Sequence, residues 1–348
     1  MKITTPGRIC LFGEHQDYLG LPVIALAISL RSTIKAVRRN DRKIIINMPD
    51  VNQVEEFSLD NLSYTKDRDY FKSAIRVCQK EGLNYKNGFD STIQSNIPIQ
   101  AGTSSSSSIV VGWIKLISSL ADNPPSWDNQ TIGKLAYEAE VLEFDEPGGM
   151  MDQFSTALGG CIYLSQNPFQ VKKFNPDIGA FVLGNSNESK DTLSILRRCK
   201  EDRFLMMKKL KNQNPELDFN NCDVEHGKSI LNTQEEVLLK ATIKNRQIFE
   251  HGKNELFKNK LSHSKIGKLL YDHHTVLRDL LKVSTDKIDR MIEASLDAGA
   301  LGAKINGSGG GGCMFAYAPD NPTKIVDAIN RSGGNAVIIN GEDGVRID

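Results

Sequence analysis

Pro6-Gly-Arg-Ile-Cys-Leu-Phe-Gly-Glu-His-Gln-Asp-Tyr18 places a permanent cation, Arg8, beside three side chains that hold hydroxyl groups, Glu14, His15 and Asp17. That set suits a polar substrate carrying negative charge. Two distant segments carry matching chemistry: the run Pro98-Ile-Gln-Ala-Gly-Thr-Ser-Ser-Ser-Ser-Ser108 and the glycines of Lys304-Ile-Asn-Gly-Ser-Gly-Gly-Gly-Gly-Cys313. They act together only if the fold brings them to one place.

Ile109, Val110, Trp113, Ile114, Ile117 and Leu120 recur at helical spacing, which predicts a helix from Ser104 ended by Asn123-Pro124-Pro125. The backbone N–H groups of the serine run then belong to an unsatisfied first turn. An anion there gains hydrogen bonds and a dipole contribution of about 0.3–1 kcal/mol, up to ~2 kcal/mol when partly buried. Phosphate is the natural occupant; a capped helix start that binds nothing is the alternative. Five consecutive serines exceed what one N-cap needs, and magnesium ligation is one use for the surplus hydroxyls.

Glu140-Val-Leu-Glu-Phe-Asp-Glu-Pro-Gly-Gly-Met-Met-Asp-Gln153 is rich in carboxylates. Glu138, Glu143 and Glu146 read as a solvated helix face. Asp152 differs, because Gly148-Gly149 precede it and Met150, Met151 and Phe154 enclose it, so an apolar turn aims a single acid. The match to G-x-G-x-x-G at Gly307, Gly309 and Gly312 is not a dinucleotide fingerprint, since Cys313 to Tyr317 reads as a strand rather than a helix. Adjacent glycines between strands suggest close backbone approach. Gly227-Lys228-Ser229 lacks the first glycine of a phosphate loop, with Cys222 in its place, and no His-Arg-Asp catalytic loop occurs. Adjacent His273 and His274 point to different helix faces and read as part of a surface or core helix.

A chain of 348 residues suffices for roughly two domains of ~150 residues each. Equal counts of 43 basic and 43 acidic residues leave no global field for nucleic acid or an acidic membrane, so anion binding must be local. Six scattered cysteines without a Cys-x-x-Cys pair argue against a zinc cluster and a disulfide framework, and make a reducing cytoplasm the simplest home. The longest apolar stretch, Leu21 to Leu30, is too short to span a bilayer and contains Pro22; Met1-Lys2-Ile3-Thr4 leads directly into motif residues without a signal peptide.

Leu21 to Val37 and Lys43 to Asn47, separated by Asn40-Asp41, read as an antiparallel hairpin. Further expected elements are a helix over Tyr70 to Glu81 stopped by Gly82, a strand at Phe89 to Ser95, and a helix from about Thr131 to Phe144. Lys200 to Lys268 is helical and charged, with breaks at Asn214-Pro215 and Asn220 to Asp223. The last third predicts a helix at Asp286 to Asp297, a turn at Gly299, strands through Lys304, at Met314 to Tyr317 and at Ala336 to Ile339, and a helix near Thr323 to Arg331. A composition shift puts a domain boundary near 165–175.

The three segments together resemble the signature motifs of the galactokinase, homoserine kinase, mevalonate kinase and phosphomevalonate kinase (GHMP) family, most closely those of galactokinases. Gly13-Glu-His-Gln-Asp-Tyr18 is similar to their Gly-Glu-His-Thr-Asp-Tyr, Gly149-Met-Met-Asp-Gln153 to their Gly-x-Met-Asp-Gln, and Gly307 to Cys313 to their third motif. The serine run matches the second motif at Pro98, Gly102, Ser104, Ser105 and Ser106 and departs from it at Gln100, Thr103 and Ser107; Gln16, Leu21 and Gly148 are further departures. The resemblance covers most of residues 1 to 165 and 265 to 320.

It implies an α+β, two-lobed GHMP kinase fold, with an N-terminal ribosomal-protein-S5-domain-2-like lobe over 1–170 and a C-terminal ferredoxin-like lobe over 171–348. It implies ATP and Mg2+ as cofactors, Asp152 and Arg8 as catalytic residues, and phosphate binding by Ala101, Gly102, Thr103, Ser104, Ser105, Ser106 and Ser107. Glu140 would help hold magnesium with Ser106, or with Ser105. Glu14, His15, Asp17, Gly149 and Asp152 would bind the sugar, Glu14 at its hydroxymethyl side and Asp17 at its ring hydroxyls. The implied reaction moves the γ-phosphoryl of ATP to a sugar hydroxyl, the anomeric one of galactose or a related neutral hexose. The other readings are a family kinase for another hexose, a heptose phosphate or mevalonate, and a non-catalytic sugar sensor. A sugar contact from the second lobe is not located between Asn187 and Ser264, and oligomeric state is left open.

Overall fold

The computed structural model describes residues 1–189 and 191–348. In chain order its strands are β1 (Lys2–Phe12), β2 (Val23–Arg38), β3 (Lys43–Met48), β4 (Gln53–Ser58), β5 (Phe89–Ser95), β6 (Cys161–Gln166), β7 (Phe169–Phe174), β8 (Phe181–Asn185), β9 (Gly302–Ile305), β10 (Cys313–Tyr317), β11 (Asn335–Ile339) and β12 (Arg346–Ile347). The helices are α1 (Tyr70–Lys80), α2 (Ser105–Leu120), α3 (Asn129–Glu140), α4 (Met151–Leu158), α5 (Thr192–Gln213), α6 (Thr233–Leu256), α7 (His263–Thr275), α8 (Asp286–Asp297) and α9 (Pro322–Arg331). Among the described residues no helix is long and apolar enough to cross a membrane.

One sheet runs β12-β1-β2-β5-β3-β4, with β6 joining β2 and β7 joining β6. The apolar face of α2 lies on it: Trp113 is fully buried between Phe71 and Phe89, with ring centroids 4.8 and 5.3 Å away. The second sheet, β11-β8-β10-β9, has the strand order of a ferredoxin-like β-α-β-β-α-β unit, with the long α5–α8 segment as its first crossover. Strands β8, β9 and β10 of this sheet are buried on both faces, whereas one face of the edge strand β11 is exposed. Phe181, Leu183, Phe315 and Tyr317 join Ile9, Leu11 and Leu26 of the first sheet in one core, whereas Val182, Met314 and Ala316 point the other way, toward Met291 and Ile329 of α8 and α9. The period of two along each strand thus sets one layer against the other lobe and one against its own helices.

The expected hairpin between β2 and β3 does not form. β5 lies between them, antiparallel to β2 and parallel to β3. Gly88 permits this crossing, because a Cβ there would sit 1.7 Å from the Lys43 carbonyl oxygen. Arg39 secures it, donating to Asp41 before β3 and to Asp90 on β5, each at 2.7 Å. The hairpin partner of β3 is β4, through a turn closed by Asn52 at φ +51. Asp128 caps α3, which starts two residues before the expected Thr131 and ends at Glu140; a separate 3-10 turn, Leu142–Phe144, follows. α5 begins at Thr192, ahead of the charged stretch that announced it. His273 and His274 are both fully buried.

Candidate active site

A cleft of about 420 Å³ between the two sheets is lined by all three signature segments. At its base the first turn of α4 presents Asp152, so this acid stands on a helix rather than in a loop. Arg8, from the middle of β1, donates to Asp152 Oδ1 through Nε at 2.8 Å and through a terminal nitrogen at 2.6 Å. The guanidinium is buried, while the carboxylate is 30% exposed toward the cleft. A further Arg8 nitrogen donates to the carbonyl of Gly102, and the Arg8 backbone N–H to that of Thr103 at 3.1 Å. Cation, acid and serine-run loop are therefore one hydrogen-bonded unit.

Ser104 is the N-cap of α2 in the left-handed region, φ +61, and its buried hydroxyl has no hydrogen-bond partner among the described residues. Gln100 is also left-handed, φ +53, at the position where the resemblance calls for glycine, so the loop keeps the backbone shape with a side chain in place. At the end of α3 the buried Glu140 carboxylate accepts from Gln153 Nε2 at 2.7 Å and meets the hydroxyls of Ser106 and Ser107. Ser105 is absent from this contact set, and Ser107 takes its place. Burial pushes the Glu140 carboxyl up to about 7, against the opposing hydrogen bonds. Among the described residues no cluster of three His, Cys, Asp or Glu could enclose a metal by itself. One buried carboxylate beside hydroxyl oxygens fits Mg2+, which keeps waters and phosphate oxygens among its ligands.

Toward the opposite wall lie Glu14, His15 and Asp17. Gly149 passes so close to Asp17 that a Cβ would stand 2.0 Å from Oδ2. Burial, and then the charge of Asp152, raise the Asp17 carboxyl to about 6. His15 has both nitrogens engaged, with Tyr18 Oη at 2.8 Å and the Ser308 carbonyl at 3.0 Å, and burial followed by Arg203 lowers it to about 3. It is a neutral strut of the wall. Glu14 accepts from Lys304 Nζ at 2.6 Å, a pair sealed from solvent, and its backbone carbonyl accepts from Asn245 at 2.8 Å.

The glycine run packs on the serine-run loop. A Cβ on Gly307 would lie 2.7 Å from Gly102 Cα, and one on Gly312 2.7 Å from the Ala101 carbonyl, which also accepts from Cys313 N–H at 2.8 Å. Lys304, Asn306, Ser308 and, from α5, Thr192 and Leu196 are contributions of the second sheet and its helices that the sequence reading assigned no site role. Lys304-x-Asn306 did carry a signal. Two polar residues two apart share one face of a strand, and a buried strand needs a reason for them.

Models of known families match three parts of the chain: the GHMP kinases N terminal domain at residues 69–160, the GHMP kinases C terminal domain at 255–335, and the galactokinase galactose-binding signature at 2–39. A mevalonate kinase of Thermococcus gammatolerans is 30% identical over 99% of this chain and 97% of its own length. A galactokinase of Clostridium beijerinckii is 29% identical over 89% of this chain and 82% of its own. The crystal structure of Lactococcus lactis galactokinase complexed with galactose superimposes with a TM-score of 0.89 at 22% identity, covering 99% of this chain and 94% of that one. The chain belongs to the GHMP kinase family and is a kinase.

Proposed function

We propose that this protein transfers the γ-phosphoryl group of ATP, with Mg2+, to a hydroxyl of a neutral sugar, the anomeric hydroxyl of galactose or a related hexose. The observation that carries this reading is the Arg8–Asp152 pair facing the start of α2 across one cleft. Phosphoryl transfer proceeds through a loose transition state, so positioning and charge neutralisation dominate. The N–H groups of the α2 first turn and Arg8 receive phosphate oxygens. Asp152 orients the acceptor hydroxyl and takes its proton late. Magnesium, held by Glu140 with Ser106 or Ser107, would supply charge neutralisation on the phosphates.

The charge balance of the cleft favours a neutral acceptor. Among its described lining residues, Arg8 already pairs with Asp152 and Arg68 with Glu146, and His15 is held neutral. Glu14 and Asp17 are acceptors suited to a ring of hydroxyls, and Asp17 repels a carboxylate. The galactose-binding signature over 2–39 supports the same choice. Mevalonate is the second reading, favoured by mevalonate kinase relatives that align over nearly the whole chain. We further infer that the lobes divide between residues 174 and 181, a few residues past the expected 170, where β7 ends the first sheet before β8 opens the second.

An ADP-release assay across galactose, other neutral hexoses, heptose phosphates, uronic acids and mevalonate tests the proposal. Turnover of a neutral hexose supports it. Turnover of mevalonate with the sugars silent replaces it with the second reading, and sugar binding without any ADP release points to a sensor.

A further inference from the structure

Lys304 is fully buried, on a strand whose neighbours are apolar, and donates to Glu14 Oε2 at 2.6 Å and to the Cys10 carbonyl at 2.9 Å. Its ammonium also lies 5.0 Å from the centre of the Phe315 ring. A lysine in such a place is strongly disfavoured unless its charge has a task. Around Arg8 stand three carboxylates, Glu14, Asp17 and Asp152, and Glu14 as well as Asp152 acts electrostatically on the guanidinium. Without Lys304, Glu14 would be an unpaired buried anion acting on the same guanidinium that holds Asp152.

We propose that Lys304 is a positioning residue: by neutralising Glu14 it reserves Arg8 for Asp152 and the transferring phosphoryl group. Asn306, on the same face of the strand end, completes the brace. It accepts from Cys10 N–H at 2.9 Å and donates to the Gly102 carbonyl at 2.7 Å, the oxygen that Arg8 also contacts. The second lobe thereby fixes the hydroxyl-binding segment against the serine-run loop through two side chains spaced by one residue.

This inference rests on the phosphoryl-transfer reading of the cleft, and one set of variants separates the two. Lys304→Met is expected to lower kcat about 10²-fold, the scale of a slight misplacement at a reacting centre. Lys304→Arg, which keeps the charge, stays within about 10-fold of wild type, far above Lys304→Met. The deciding variant is Glu14→Gln with Lys304→Met. With Glu14 no longer an unpaired carboxylate drawing on Arg8, it recovers at least 10-fold in kcat over Lys304→Met while its acceptor KM stays high, a split that lost packing alone does not produce. If Lys304→Met does not fold, the double variant must still fold and turn over. A Lys304→Met enzyme with near wild-type kcat, or a double variant no better than the single or inactive, overturns the inference. An inactive wild-type protein in the same assay sinks the phosphoryl-transfer reading instead.

Discussion

Asp152 meets a buried guanidinium on one side and the open cleft on the other, which suits an acid that must hold a hydroxyl in line with a phosphorus atom. Asp152→Asn preserves the shape and removes the proton acceptor. Turnover is expected to fall at least ~10²–10⁴-fold with nucleotide affinity nearly unchanged, as read by steady-state rates beside calorimetric ATP titration. A variant that turns over like wild type would remove Asp152 from the mechanism. Glu140 offers a test that needs no substrate. Its carboxyl is pushed from an ordinary 4.5 up to about 7 by burial, so the folded chain holds this proton more tightly than the unfolded chain. The resulting stability is fully present below about pH 4.5 and is lost as pH rises to about 7. Glu140→Gln escapes that loss. Without metal it should be more stable than wild type at pH 8, by on the order of 1–3 kcal/mol, with the gap closing near pH 4.5, while its kinase activity drops. Melting curves for the two proteins that run parallel from pH 4.5 to 8 would contradict this.

At the scale of elements, the site brings two loops into backbone contact where side chains are missing. Gly307 has φ +79 and would place a Cβ 2.7 Å from Gly102 Cα, so Gly307→Ala must move the glycine run away from the serine-run loop. We expect a loss of about 1–3 kcal/mol in stability and about 10²-fold in kcat, measured by denaturant titration and ADP release. Unchanged values for both would mean the close packing is incidental. Elements decided by local periodicity were legible in the chain: β5 was read at its observed bounds, as was α8, and α2 within a residue or two. The β2–β3 hairpin was misread because pairing is chosen by tertiary contact. Asn40-Asp41 looks like a turn, yet what settles the sheet is a glycine at position 88 and an Arg39 clamp reaching to Asp90. The candidate site divides in the same way. Arg8, Glu14, Asp17 and Asp152 stand out as polar residues in distinctive local contexts, whereas Lys304, hinted at only by its spacing from Asn306, finds its partner in Glu14, nearly three hundred residues away in the chain. His15 reads as a hydroxyl ligand from its neighbours in the chain, whereas its contacts with Tyr18 and Ser308 come only from the fold.

For the molecule as a whole, the chain's last residues return from the second sheet to close the first. Ile347 and Arg346 pair with Ile3 and Thr4 of β1, and isolated bridges join Gly341 to Ile28 and Asp343 to Gly159. Arg31 gathers this strap by donating to the carbonyls of Asp343 and Gly344 at 2.8 Å and of Thr4 at 3.0 Å. Val345 is buried in the core beneath α2, and its N–H donates to the Ala157 carbonyl at 3.1 Å, at the end of the helix that carries Asp152. Gly344 fits there because a Cβ would lie 2.1 Å from that same carbonyl. A strap so placed ties α4, the helix that carries Asp152, to β1, the strand that carries Arg8. Removing residues 341–348 should therefore destabilise the first sheet by about 3–5 kcal/mol, a large part of the ~5–15 kcal/mol of a whole domain, rather than fray one end. Hydrogen exchange should then show lost protection in α4 and β1, with β8 and β10 of the second sheet affected less. Loss confined to β12 and its immediate neighbours would reduce the strap to a loose tail and break its link to the position of Asp152.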